Sequence, residues 1–218
     1  MSRILVIAVH PDDETLGCGG TLLKHKAQGD EIYWLICSDI DSSHPYYEIR
    51  QAEIEKVSKK YSFDGFYNLK LQTMKIDKYS MSELIEKISN IFQEIQPNIV
   101  YLPFKGDVHS DHRKIFEASY SCTKSFRYPF IKKIYMMETL SETEFAPSTK
   151  EDSFIPNVFV DISIFFEKKI EIMRIYKTEL GEHPFPRSIE NLKALATLRG
   201  STAGCKYAES FMLLKEIK

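Results

Sequence analysis

The chain has 218 residues, 43% hydrophobic and 28% charged, and its 29 basic and 31 acidic side chains give a formal net charge of −2. That length and apolar content suffice for one domain with a substantial core, so a bound metal would serve chemistry rather than hold the fold. Charges of both signs are interspersed, which argues against a nucleic-acid groove or an anionic membrane surface, and Lys56, Lys59 and Lys60 read as a solvated helix face.

Residues 4–9 form a continuous, β-branched apolar run, the pattern of a strand buried on both faces of a parallel sheet. After a turn at 10–14, residues 15–28 read as a helix with Leu16, Leu22 and Leu23 for the core and Gly29 as its stop. A second strand is expected over 31–37, a helix over 46–61 through Ile49, Ala52, Ile54 and Val57, and a short strand over 65–69. Ser80 reads as the N-cap of a helix to about Gln96, whose Leu84, Ile88, Ile91 and Ile95 repeat on one side before Pro97 closes it. Another buried strand at 99–102 leads into a helix around 109–122. Strands near 133–138 and 157–161 and a helix over about 163–177 follow, with 147–156 as the one long excursion. Arg199-Gly200-Ser201-Thr202-Ala203-Gly204, rich in small residues, either lets the chain pass close to a ligand or a neighbouring subunit or is ordinary turn, and Tyr207 and Phe211, four apart, are expected to pack on a terminal helix. The alternation implies an α/β fold, a Rossmann-like three-layer α/β/α arrangement around a mostly parallel sheet, in a single domain over residues 1–218.

Cys18, Cys37, Cys122 and Cys205 lie far apart without a CxxC pair, so they form neither a zinc ribbon nor a disulfide framework. The N-terminal run meets polar residues too early for a secretion signal, and no apolar stretch approaches the roughly 20 residues of a bilayer span. The expectation is a cytoplasmic, reduced protein without nucleic-acid or membrane partners.

Ligands of open α/β sheets bind at the carboxyl ends of the strands. His10, Asp12 and Asp13 stand where the first strand ends, and an imidazole with carboxylates suits a divalent ion such as zinc. Three adjacent acids otherwise repel one another, a conflict that a cation removes. By itself the turn has a second reading, since acids also favour the first turn of a helix. Gly17, Gly19 and Gly20 form G-x-G-G rather than the dinucleotide fingerprint, and read as positions of close helix packing. Asp107-Val108-His109-Ser110-Asp111-His112-Arg113 follows the strand at 99–102, and His109 and His112, three apart, share a face at a helix start. Together the two clusters supply three ligands and leave a fourth position open, as in catalytic zinc sites.

With His10-Pro11-Asp12-Asp13-Glu14, the following Thr15-Leu16-Gly17-Cys18-Gly19-Gly20, and His109-Ser110-Asp111-His112, the chain resembles the LmbE/PIG-L family of zinc-dependent de-N-acetylases. The likeness reaches Arg199-Gly200 and Tyr207-Ala208-Glu209-Ser210-Phe211; Val9 departs from it, standing where many members carry proline. The resemblance implies His10, Asp13 and His112 as ligands of Zn2+, with Fe2+ as an alternative. It implies Asp12 as general base, His109 as stabiliser of the developing oxyanion, and Asp111 as the partner of His109. The implied reaction removes an acetyl group from an amino sugar, free or carried on a lipid, nucleotide or thiol conjugate. Glu14 is left a supporting part in the first helical turn.

Four further residues are candidates for substrate binding, each with a plain structural reading beside it. Arg50, in an R-x-x-E pair with Glu53, either binds a sugar hydroxyl or phosphate or forms a surface ion pair. Ser38, before Asp39, either lines the crevice or caps a turn. His183 and Arg187, in the proline-pinned loop 181–188, either close over substrate or belong to plain surface. Two rival classes stay open: a metal-dependent phosphoester hydrolase, which commonly needs two ions, and a non-catalytic nucleotide-binding module. The expected partner is a small-molecule N-acetylated sugar or sugar nucleotide. The sequence fixes no oligomeric state.

Overall fold

The computed structural model describes residues 1–218. Strand β1 (Arg3–Ala8) explains its own lack of alternation: Ile4, Val6 and Ala8 enter one core while Leu5, Ile7 and the following Val9 enter another. Both faces are covered, so every position of the run is apolar. Strands β2 (Glu31–Asp39), β3 (Gly65–Gln72), β4 (Ile99–Leu102) and β5 (Lys133–Met137) join β1 in parallel. With β6 (Val158–Asp161) and β7 (Ala208–Glu216) they make one seven-stranded sheet in the order β3-β2-β1-β4-β5-β7-β6. Only β7 runs opposite to the other six strands.

Helices α1 (Asp13–Ala27), α2 (Tyr47–Tyr61), α5 (Phe166–Met173) and α6 (Ile189–Ala203) pack on one face, and α3 (Met81–Ile95) and α4 (Ser110–Ser121) on the other. The layers are those expected from the sequence. Ser80 caps α3 through a capping box with Glu83. No helix is long and apolar enough to cross a membrane, and all four cysteines are free thiols.

The C-terminus departs from expectation. The terminal helix is α6, whose last turn contains Arg199–Ala203 and which stops at Gly204 with φ 70°. Residues 208–216 are a strand. A spacing of four puts two side chains on one face of a strand as well as of a helix, and Tyr207 and Phe211 share the first core in this way. Tyr207 stacks on Phe166 at 4.0 Å, and Phe211 lies 5.0 Å from Tyr101. By pairing with β5, β7 covers what would otherwise be an exposed sheet edge.

The first helix begins two residues earlier than expected and kinks at Cys18, where φ is −147°. The kink frees amides and carbonyls in the middle of a buried element. Glu209 of β7 accepts from Gly20 N at 2.8 Å and Thr21 N at 2.7 Å. Lys169 of α5 donates to Leu16 O at 2.9 Å and to Glu209 at 2.7 Å. The glycines serve close packing, as expected: a Cβ on Gly20 would lie 2.8 Å from Ile162. Replacing Lys169 by methionine would strand a buried carboxylate, and we expect a stability loss of about 3 kcal/mol in chemical denaturation. A loss below about 1 kcal/mol would show that the pair does not brace the kink.

Candidate metal centre and active site

Strand order reverses between β1 and β4, so a crevice opens where these two strands end. The turn after β1 carries His10, Asp12 and Asp13, and the loop and first turn after β4 carry His109, Asp111 and His112. The topology thus brings together two segments about a hundred residues apart in the chain. Their meeting point opens into a cavity of about 360 Å³ lined by His10, Asp12, Asp13 and His109 among others.

His112 Nε2 lies 3.4 Å from His10 Nδ1 and 3.4 Å from Asp13 Oδ2, and the latter two atoms are 3.9 Å apart. Ligands about 2.1 Å from one tetrahedrally bound ion stand about 3.4 Å from each other, so these three donors fit a single divalent cation. Each imidazole turns its other nitrogen to a carboxylate. His112 Nδ1 meets Asp107 Oδ2 at 2.8 Å, and Thr143 Oγ1 donates to Asp107 Oδ1 at 2.7 Å. His10 Nε2 is buried without a hydrogen-bond partner and faces Asp111 Oδ2 at 3.5 Å. Carboxylates placed behind both rings fix the tautomers that present lone pairs to an ion. Burial opposes a charge on His112, yet Asp13 and Asp107 outweigh it and lift the ring to about 9. The pocket attracts positive charge.

Asp12 occupies an unusual backbone position, φ 131° and ψ −28°, and its carboxylate lines the cavity beside the ligand Asp13. Such a conformation costs a non-glycine residue of order 1–3 kcal/mol. Glu14, wholly buried, supplies the restraint: its Oε2 accepts from Asp12 N at 3.1 Å, while its Oε1 accepts from Tyr176 Oη at 2.8 Å and Thr15 Oγ1 at 2.6 Å. Burial raises Glu14 to about 7 against these hydrogen bonds. Burial also raises Asp12, with Asp13 adding to the effect, so the Asp12 carboxyl holds a proton more firmly than a solvated one would.

His109 is the N-cap of α4, where its Nδ1 accepts from Asp111 N at 3.1 Å. Burial, then the neighbouring His10 and His112, lower its pKa to about 4. It is therefore a neutral ring with Nδ1 engaged, and its proton sits on Nε2. The expected pairing of Asp111 with His109 takes a different form: the hydrogen bond comes from the Asp111 backbone, while its carboxylate, near both rings, faces His10 and accepts from Met74 N at 2.8 Å.

Of the substrate-binding candidates, Arg50 and Arg187 line the cavity. Ser38 does not: it is fully buried, donating to Val9 O at 2.9 Å, while the next strand position, Asp39, turns to the cavity. His183 is exposed on its loop, outside the cavity lining. Asp107 stands in the second sequence cluster without an assigned role, and Glu142, Tyr176 and Glu179 join the site without any mark in sequence. Asp107 has a local signal, a carboxylate five residues before His112; the others act from loops whose approach no spacing records.

A doubly covered α/β sheet with a three-donor His/Asp centre at its switch point, open to a cavity, defines a metal-dependent hydrolase. The chain belongs to the PIG-L family, described as GlcNAc-PI de-N-acetylase, whose family model matches residues 5–123. It is thus a deacetylase, acting on an amide. Diacetylchitobiose deacetylase of Thermococcus kodakarensis is 25% identical over 100% of this chain and 85% of its own length. The N,N'-diacetylchitobiose deacetylase of Pyrococcus horikoshii superposes with a TM-score of 0.79 at 22% identity, over 98% of this chain and 84% of that one. GalB, the 4-carboxy-2-hydroxymuconate hydratase of Pseudomonas putida KT2440, superposes with a TM-score of 0.78 at 14% identity, over 100% of this chain and 97% of that one. The fold alone therefore does not select the reaction.

Replacing Asp107 by alanine removes the acceptor behind His112, and we expect metal affinity to fall by about 10–100-fold in a chelator competition titration. Unchanged affinity would show that Asp107 does not orient the ligand.

Proposed function

We propose that the chain hydrolyses the N-acetyl amide of an amino sugar, with zinc held by His10, Asp13 and His112. The observation that carries this reading is the convergence of two imidazole nitrogens and one carboxylate oxygen beside a second carboxylate, Asp12, that faces the same cavity. Two nitrogens, one oxygen and an open position are the donor set of catalytic zinc, and ferrous iron suits the same atoms.

When bound, the ion supplies Lewis acidity that activates a water and polarises the acetyl carbonyl. Asp12 takes the proton from the attacking water at its carboxylate. His109 donates its Nε2 proton in a hydrogen bond to the oxygen on which charge develops, a role worth on the order of 3 kcal/mol for one donor. Because the ring is neutral, it donates without first being protonated. Asp12 then returns its proton to the departing nitrogen, leaving Asp12 ionised again; the amine and acetic acid formed separate as the ammonium and acetate. The curated relative's name, diacetylchitobiose deacetylase, places N-acetylated sugars first among substrates to try.

The two rivals have less support. A second group of donors, His10, His109 and Asp111, borrows His10 from the first, and Asp111 is already occupied by backbone amides. The chain therefore offers ligands for one ion rather than two. The glycines that would define a nucleotide-binding module are filled by Met137, Tyr61 and Ile162.

Acetate release from N,N'-diacetylchitobiose and N-acetylglucosamine, with and without a chelator, tests the reading; no chelator-sensitive acetate from any N-acetyl sugar would sink it. Asp12→Asn is expected to retain the ion and lose on the order of 10³-fold in kcat, and near-normal turnover would remove Asp12 from the role of base. His112→Ala is expected to lose the ion, as read by metal content after dialysis; full occupancy would contradict its place as a ligand.

A further inference from the structure

The cavity lining holds two arginines, Arg50 and Arg187, with Glu179 between them. Glu179 Oε1 takes a hydrogen bond from Arg50 Nη2, and Glu179 Oε2 accepts from Arg187 Nη2 at 3.1 Å. Most of the remaining guanidinium nitrogens are directed at protein oxygens as well. Arg50 Nη1 donates to Pro11 O at 3.1 Å and its Nε faces Glu53 Oε2 at 3.9 Å. Arg187 Nε donates to Glu179 O at 2.9 Å and its Nη1 to Ser141 Oγ at 2.8 Å. An arginine at a sugar site is ordinarily a phosphate anchor, because its planar fork matches that anion. Here both forks already face the Glu179 carboxylate of the protein.

Charge around the same cavity points the same way. Asp12, Asp13, Asp39, Glu142 and Glu179 line it against Arg50 and Arg187. Even a divalent ion on Asp13 leaves the walls without surplus positive charge for an anionic substrate. Asp39 is held by neutral amides, Asn68 Nδ2 at 2.9 Å and Gln51 Nε2 at 3.1 Å, so its charge faces the cavity uncancelled.

We propose that Glu179 is a specificity-determining residue that restricts the deacetylase to uncharged N-acetyl sugars and rejects their phosphorylated forms. The proposal rests on the N-deacetylase reading and names the substrate class within it. A phosphate entering the cavity meets the Glu179 carboxylate and must displace it to reach either guanidinium. A neutral sugar instead finds hydroxyl-binding groups, Glu179 and Asp39 as acceptors, and no charge to compensate.

The experiment compares kcat/KM for N-acetylglucosamine and diacetylchitobiose with that for their 1- and 6-phosphates, in the wild type and in Glu179→Gln, both loaded with zinc. Glutamine keeps the size of the side chain and removes its charge. The wild type is expected to favour each neutral sugar by about 100-fold or more, because like charges are brought together without solvent between them. In E179Q that preference narrows by about tenfold, chiefly through KM of the phosphate, and the gain fades as salt is raised. The readout is a ratio within each protein, so a general loss of activity in the variant cancels. Equal wild-type efficiencies, or a ratio unchanged in E179Q, would overturn the proposal. If E179Q fails to fold, competition in the wild type decides. N-acetylglucosamine 6-phosphate and inorganic phosphate should leave turnover of the neutral sugar unchanged at about ten times its KM, and competitive inhibition near KM would overturn the assignment. Absence of acetate from every neutral sugar is a different result, and it falls on the deacetylase reading itself.

Discussion

The hydrogen bond from Asp12 N to Glu14 Oε2 is the interaction on which the site depends. It holds an aspartate at φ 131°, and without it the backbone would relax into an ordinary first helical turn. Relaxation would carry Asp12 away from the cavity and disturb Asp13, whose Oδ2 accepts from His10 N at 2.8 Å as well as facing His112. A buried carboxylate can impose this only if it is itself fixed. Tyr176, Thr15 and, one step removed, Tyr61 through Thr15 Oγ1 at 3.1 Å fix it. The restraint therefore begins in α2 and in the residues just after α5, elements that contribute no ligand.

The same logic explains the C-terminal third of the chain. Helix α1 starts inside the His10–Glu14 turn and kinks at Cys18, and residues on both sides of the kink are buried against the rest of the protein. The open backbone at the kink is closed by Lys169 and Glu209, which arrive on α5 and β7. A buried ion pair is a poor source of stability compared with apolar packing. Its value here is positional: one carboxylate satisfies two amides, and one ammonium satisfies a carbonyl and that carboxylate.

Much of this was legible in the residues. The all-apolar run 4–9 announced a strand covered on both sides, the box at Ser80 and Glu83 announced a helix start, and acids and histidines at two strand ends announced a cation. What escaped has physical causes. The spacing of Tyr207 and Phe211 fits a strand as well as a helix, and only β5's need for a partner decides between them. Ser38 and Asp39 differ by one position, and the pleat sends the first into the core and the second to the cavity. The partner of His109 was sought in the nearest carboxylate, but a ring at an N-cap accepts from the backbone, which frees that carboxylate for His10. Glu179 gives no signal at all in sequence, because its meaning comes from two arginines, one far before it and one shortly after it.

The acids of this region divide by what they face. Glu14, Asp107 and Asp111 are consumed by hydrogen bonds within the protein and set the orientation of groups that do chemistry. Asp12 and Asp13 face the cavity, Asp13 as one of the three convergent donors. Glu142, raised to about 7 by burial, and Asp39 and Glu179 face the rest of the cavity. So many carboxylates in one crevice would repel each other strongly with nothing positive among them. Two arginines relieve part of that repulsion, and a divalent ion held by His10, Asp13 and His112 would relieve the rest at the centre. Because each cation is already matched to carboxylates of the protein, the site can hold its ion tightly and still offer an incoming anion nothing to pair with. Metal affinity and the rejection of charged sugars would then have one electrostatic origin.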